Sequence, residues 1–392
     1  MKKTQIQPDR YIIYYNSKYY VVNQYTYNLL EMCERREDLK NCEKKEELKM
    51  QLTKLFNEME NIEYYDNNVE LKVPLKLQWK MTRMCNLKCK HCYIGDNYEK
   101  ELPNEELLEI CEKIVQAGIM EVTITGGEVL TVDILDVIVK RLLQNDIKVN
   151  IFTNGILLYD FIKKIEKDIK NKEMLNFFVS VDGLEKTHNY IRGENTFKKT
   201  IKSIKYAVKK EFYITINVVL SKMNYEEVPQ LYLYLKNKVK VQSVQISNLI
   251  VQGRANEDMK LSFEENEEFY EKLKNIHKNN KVKTNLMYAK MPKEGYKNAD
   301  VFLVNEKEHY VGKENWKCCA GIGKATIDVN GDLYCCPFIK ESLLGNIRQK
   351  DLKEVWSNVE RYKFLKYLAE NNNNSRVCIV AKNIEKGGEQ CD

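Results

Sequence analysis

The stretch Cys85-Asn86-Leu87-Lys88-Cys89-Lys90-His91-Cys92 constrains this chain more than any other. A loop of that length can turn its three thiols toward one point. Structural zinc sites and ordinary iron–sulfur clusters take four protein ligands. No fourth cysteine lies close, since the next, Cys111, falls inside a predicted helix. A cubane cluster held by three cysteines would keep one iron open for a small-molecule ligand.

The rest of the chain must house such a site. Its 392 residues predict two or three domains. With 43% hydrophobic and 31% charged residues it can bury a large core. The start, Met1-Lys2-Lys3-Thr4-Gln5, lacks the apolar core of a signal peptide, and no apolar run reaches membrane-spanning length. A cytoplasmic protein without a membrane partner is expected. Twelve cysteines in such a chain point to metal binding rather than disulfides. The net charge of +6 is spread over mixed Lys/Glu helices, which does not suit nucleic acid and is compatible with an acidic peptide.

Residues 1–73 open with Arg10–Tyr15 and residues 18–22, two β-branched and aromatic runs around Asn16-Ser17 that read as a hairpin. Residues 25–37 and 46–60 have helical spacing, the second with a stripe of Leu48, Leu52, Leu55, Phe56 and Met59. A winged-helix-like module that binds peptide fits this pattern.

From residue 75, strand candidates at 75–81, 121–125, 148–153, 177–181, 213–220 and 241–248 alternate with amphipathic stretches such as 105–117, 132–143, 197–209 and 226–235. Parallel strands with right-handed helical crossovers predict an α/β fold, a partial (β/α)6 barrel of the TIM type. Chemistry in such barrels gathers at the C-terminal strand ends. The second strand ends in Thr125-Gly126-Gly127-Glu128, whose glycines let backbone approach a ligand and whose carboxylate can take an ammonium group. Thr153-Asn154-Gly155 ends the third. The fourth ends in Ser180-Val181-Asp182-Gly183, with His188 and Arg192-Gly193 beyond. Ser180 and Asp182, two apart on a strand, point to one face and suit ribose hydroxyls, while Arg192 suits a carboxylate. His188 reads as a structural or capping histidine.

Residues 281–317 are lysine-rich and irregular, and read as a bridging segment. Beyond them, a hairpin turn at residues 329–333 would bring Cys318 and Cys319 near Cys335 and Cys336.

The CxxxCxxC spacing, the Gly-Gly-Glu turn and the S-x-D-G…H…I-R-G arrangement together resemble the peptide-modifying branch of the radical S-adenosylmethionine (SAM) enzymes. The resemblance implies a [4Fe-4S] cluster on Cys85, Cys89 and Cys92. It implies SAM bound through its amino group at Gly126, Gly127 and Glu128, through Ser180, Asp182 and Arg192, and with adenine facing the backbone around Tyr93. Two positions depart from the family: Val129 stands where proline is usual, and His91 where an aromatic residue is common. The N-terminal block resembles the recognition element of enzymes that act on ribosomally made peptides, where a leader adds a strand to a sheet edge.

The C-terminal residues resemble the SPASM/twitch extension, which holds auxiliary iron–sulfur clusters. Its usual tail has four cysteines with gaps of two, five and three residues. Here Cys378 and Cys391 fit the first and last places, Ala381 and Gly387 occupy the middle two, and the chain stops one residue after Cys391. One auxiliary [4Fe-4S] cluster is expected, on Cys318, Cys336 and Cys391. Cys378, Cys319 or Cys335 could supply a fourth ligand, and without one an open iron could take a substrate thiolate.

The expected organisation is a leader-recognition domain at 1–73, the barrel at 74–280, the bridge at 281–317 and an iron–sulfur hairpin domain at 318–392. The resemblance implies a radical SAM oxidoreductase that uses a 5′-deoxyadenosyl radical to install an oxidative cross-link, such as a thioether, in a ribosomally synthesised precursor peptide. This is similar to the sactipeptide and ranthipeptide maturases. A cyclophane-forming enzyme or a peptide epimerase is the enzymatic alternative, and the N-terminal module and depleted tail depart from an anaerobic sulfatase maturase. A non-catalytic iron–sulfur peptide-binding regulator is the alternative outside enzymes, and SAM cleavage separates it from them. A flavodoxin or ferredoxin is the expected electron donor.

Overall fold

The computed structural model describes residues 2–7, 10–15, 18–23, 71–96, 101–279, 285–289, 301–304 and 320–372. At the N-terminus, β1 (Lys2–Gln7), β2 (Arg10–Tyr15) and β3 (Lys18–Asn23) form a three-stranded antiparallel sheet in that order. Tyr15 pairs with Lys18 where β2 and β3 form the expected hairpin; Asn16 and Ser17 lie outside the described residues. The helices expected at 25–37 and 46–60 lie outside the described residues.

The expected six parallel strands are present: β4 (Lys76–Thr82), β5 (Glu121–Gly126), β6 (Lys148–Thr153), β7 (Leu175–Ser180), β8 (Tyr213–Leu220) and β9 (Ser243–Asn248) pair in chain order. One side chain in two along each strand is apolar and fully buried, as with Leu77, Trp79 and Met81 on β4 or Phe177 and Val179 on β7. Most alternate positions carry polar groups, some of which meet across strands, as where Asn150 Nδ2 donates to Glu121 Oε1 at 2.9 Å; Phe152 and Phe178 stack among them. This period-two pattern puts the apolar face against helices and leaves the other to the inside of the barrel.

The crossovers are α1 (Asn104–Ala117), α2 (Leu135–Gln144), α3 (Leu158–Ile165), α4 (Glu185–Arg192), α5 (Thr196–Lys209) and α6 (Val228–Tyr234). In α1, Leu107, Ile110, Cys111 and Ile114 make the buried stripe, Glu105 and Glu106 favour the first turn, and Gly118 ends the helix in the left-handed conformation. The helix expected from 132 begins at Leu135. A short 3-10 turn over Val129–Thr131 precedes it, capped by the Glu128 side chain.

The bridge is not structureless. Within it, β10 (Asn285–Ala289) pairs parallel with β9, and β11 (Val301–Val304) pairs antiparallel with β10. Such short runs carry almost no periodicity; the free edge of β9 supplies the hydrogen bonds for β10, and β10 in turn supplies those for β11. A longer helix, α7 (Phe263–Asn279), precedes them.

At the opposite edge, β12 (Lys324–Ile327) and β13 (Asp332–Tyr334) form the expected hairpin, and β14 (Leu343–Asn346) extends it. β12 lies parallel to β4, with Ala325 opposite Leu77, so the barrel sheet and the C-terminal hairpin are one eleven-stranded sheet. The helices α8 (Leu352–Trp356) and α9 (Val359–Asn372) cover it, and the Trp356 indole donates to Leu71 O at 2.9 Å. No described helix is long and apolar enough to cross a membrane.

Candidate active site

Beyond β4 the chain enters the cysteine loop, and three other strand ends hold it in place. Gly127 N–H donates to Thr82 O and Glu128 N–H to Met84 O, both at 2.8 Å. A Cβ on Gly126 would come within 2.3 Å of Thr82 O, and one on Gly127 within 2.2 Å of Met84 O. Only glycine permits this approach, and Gly126 also holds a φ of 156°. The glycines thus bring their backbone against the cysteine loop while lining the cavity beside it.

Asn154, after β6, donates from Nδ2 to Asn86 Oδ1 at 2.7 Å. After β9, Gly253 and Arg254 hold the far side of the loop. Arg254 N–H donates to Cys92 O and its guanidinium to Cys89 O, both at 2.9 Å, and to Gly95 O at 3.0 Å. A side chain on Gly253 would strike Cys92 O and Tyr93 O.

The loop and strand ends enclose one cavity. Cys85, Cys89, Cys92, Tyr93, Gly126, Gly127, Ser180 and Arg192 all line it, so most of the expected site residues are brought together. Burial pushes the Tyr93 hydroxyl up to about 12. Burial also raises the Cys89 thiol, against the pull of Arg192, whose Nη1 lies 3.9 Å from Cys89 Sγ. The three thiols border the cavity without converging as single-ion ligands do; no group of three metal-binding side chains among the described residues is gathered that tightly.

The two expected carboxylates sit elsewhere. Glu128 is fully buried behind the wall, and it accepts from the Thr153 hydroxyl (2.7 Å), Asn154 N–H (2.7 Å) and Leu130 N–H (3.0 Å). Burial raises its carboxyl, and those three donors work against the rise. Asp182 is equally buried, and its carboxylate accepts from His91, Arg192 and the Val219 N–H. Burial alone would raise the Asp182 carboxyl; Arg192 and His91 outweigh it and hold it well below the usual carboxylate range. His188 accepts from Asp182 N–H through Nδ1 at 3.3 Å and packs edge-on to Phe197, in keeping with a capping role.

Three contributors escaped the sequence reading. Asn217 faces the cavity on β8 directly opposite Ser180 on β7. Neither side chain has a hydrogen-bond partner among the described residues, which leaves both for a ligand. The signal was an asparagine inside a strand otherwise rich in β-branched residues. Gly253 and Arg254 were signalled only by a glycine–arginine pair past a strand end.

Cys335 and Cys336 sit at the end of β13, both buried. Burial pushes the Cys335 thiol up to about 12, against Arg361. Its sulfur faces Gly321, where an added Cβ would meet it at 3.1 Å. Cys318, Cys319, Cys378 and Cys391 lie outside the described residues.

Three thiols, a guanidinium and the unengaged Ser180 and Asn217 around one glycine-walled cavity fit a cysteine-held cluster with a small polar ligand beside it. Residues 79–235 match the radical SAM superfamily, and residues 318–382 match SPASM, an iron–sulfur cluster-binding domain. The chain thus carries a radical SAM domain and, C-terminal to it, a SPASM domain. Its cofactors are accordingly SAM and a [4Fe-4S] cluster, with auxiliary iron–sulfur binding in the SPASM domain.

Among its relatives, the AdoMet-dependent heme synthase of Methanosarcina barkeri is 25% identical over 323 residues, covering 79% of this chain and 89% of that protein. Streptococcus suis SuiB bound to precursor peptide SuiA superposes with a TM-score of 0.62 at 19% identity, covering 93% of this chain and 90% of SuiB. Native anSMEcpe with bound AdoMet and Kp18Cys peptide superposes with a TM-score of 0.57 at 20% identity, covering 75% of this chain and 83% of that one. These structural likenesses establish the fold.

Proposed function

We propose that this protein is a radical SAM maturase that installs an oxidative cross-link, a thioether, in a ribosomally synthesised precursor peptide. The observation that carries the reading is the separate three-stranded sheet at the N-terminus, in which β1 and β3 are edges onto which a leader peptide can add a strand. The likeness to peptide-bound SuiB, which extends over 93% of the chain, supports it.

In this reading residues 1–73 bind the leader, 74–280 form the catalytic barrel, 281–317 connect, and 318–392 hold one auxiliary cluster. Cys85, Cys89 and Cys92 would hold the SAM-binding cluster. When bound, that cluster and SAM supply the radical that removes a hydrogen atom from the substrate. The chain's own residues do the positioning. Gly126 and Gly127 keep the wall close, Ser180 and Asn217 offer a hydroxyl and an amide to SAM, and Arg192 offers a cation. Cys336, with Cys318, Cys391 and Cys378, would ligate the auxiliary cluster. A flavodoxin or ferredoxin would deliver the electron.

A porphyrin substrate is the second reading, favoured by the alignment with the heme synthase over 89% of that protein. Mass spectrometry after anaerobic reaction with SAM and dithionite separates the two. A cysteine-containing precursor that loses two hydrogens and one free thiol supports the thioether. Deuterium uptake from heavy water without mass loss would mean epimerisation, and consumption of an iron porphyrin in place of peptide would overturn the reading. Deleting residues 1–70 should weaken peptide binding while leaving peptide-independent SAM cleavage intact.

A further inference from the structure

Asp182 lies two residues beyond the fourth barrel strand, where a ribose contact is expected, yet its side chain has no exposed surface and does not line the cavity. A carboxylate offers about four lone-pair directions, and three are used inside the protein. Oδ2 accepts from His91 Nε2 at 2.8 Å and from Arg192 Nε at 2.5 Å, and Oδ1 accepts from Val219 N–H at 2.9 Å. Its main chain is held as tightly: Asn224 Nδ2 donates to Asp182 O at 2.8 Å, and Asp182 N–H donates to His188. Both cationic or protonatable partners of its carboxylate do border the cavity. His91 lies between Cys89 and Cys92, and Arg192 reaches Cys89 Sγ.

We infer that Asp182 is a positioning residue, which ties the middle of the cysteine loop to the barrel through His91 and aims the Arg192 guanidinium at Cys89, and that it makes no contact with SAM. The inference rests on Cys85, Cys89 and Cys92 as cluster ligands and is independent of what the substrate is. The carboxylate also neutralises Arg192, so the cluster faces an oriented ion pair rather than a bare cation. Removing the negative charge while keeping the cation makes the surroundings more positive and favours the reduced cluster.

The test uses the full chain, anaerobically reconstituted and free of both SAM and peptide. Iron content, the electron paramagnetic resonance spectrum after reduction, and the cluster's midpoint potential are measured for the wild type, Asp182→Asn, Arg192→Lys and Ser180→Ala. Asp182→Asn should alter the SAM-free spectrum and move the potential to more positive values. Arg192→Lys keeps the charge but loses the Nε contact, and should alter the spectrum as well; it carries the test if the Asp182 variant does not fold. Ser180→Ala, on the cavity wall, should leave the SAM-free spectrum unchanged and raise only the SAM dissociation constant in equilibrium dialysis. An Asp182→Asn protein with the wild-type SAM-free spectrum and potential but weakened SAM binding would overturn the inference. So would a wild-type spectrum in Arg192→Lys, and a wild-type protein that assembles no cubane would remove the premise.

Discussion

Glu128 Oε2 accepts the main-chain N–H of Asn154 at 2.7 Å, which joins the Gly-Gly-Glu turn after β5 to the Thr-Asn-Gly turn after β6. With the Thr153 hydroxyl and Leu130 N–H on Oε1, the carboxylate is the buried tie between two strand ends. Asn154 in turn holds Asn86 in the cysteine loop. Glu128→Ala would strand buried donors, each costing on the order of 1–3 kcal/mol, so a total loss of roughly 3 kcal/mol is expected. Urea unfolding of the cluster-free protein measures it; an unchanged midpoint would mean that Glu128 is free to serve a ligand instead.

Gly127→Ala tests the cradle. A methyl group 2.2 Å from Met84 O must push the cysteine loop away from β5. Soluble protein that holds markedly less iron at the SAM-binding site is expected, by iron analysis against the wild type. Full iron loading would show that the loop moves without consequence.

Arg254→Lys tests the other side of the loop. Its guanidinium bonds Cys89 O, Gly95 O and Asp96 Oδ1 at once, a fork that an ammonium group cannot reproduce. Severalfold faster loss of cluster iron to a chelator is expected, followed by the decay of the cluster's visible absorbance.

Acid should destabilise the fold through His188. Burial pushes this imidazole down to about 4 from its ordinary 6.5. As pH falls below 6.5 the unfolded chain takes up the proton first, so this stability is complete above pH 6.5 and is lost toward pH 4. The loss between about pH 7 and pH 5 amounts to about 2 kcal/mol. Urea midpoints of the Cys85/Cys89/Cys92→Ala protein at both pH values measure it without acid loss of the cluster. The further change His188→Gln should flatten the dependence; an equally steep fall would assign it to other groups.

Much of this protein was legible in its residues. Period-two strands such as 148–153 and 213–220 match the structure residue for residue, because burial of one strand face is a local rule that the sequence must write out. The cysteine spacing likewise marked its own site, since three cysteines on one loop border the same cavity. The strands β10 and β11 were not legible. They are too short for a periodic signal and exist by pairing with an edge that lies elsewhere in the sequence.

The hydrogen-bond partners of the two carboxylates belonged to the tertiary structure alone. A motif states that Glu128 and Asp182 stand at strand ends, and both ends do meet the cavity. Whether a carboxylate turns to a ligand or away from it depends on which donors wait behind it. For Glu128 these come from the turn after β6, and for Asp182 from His91 and Arg192, ninety-one and ten residues away. The same holds for Asn217 and Ser180, which only the register of β7 against β8 sets side by side. Residue type and spacing along one strand determined the fold and the cluster loop. Partners that converge from distant segments, and satisfy a buried charge before any ligand can, decided which side chains face the chemistry.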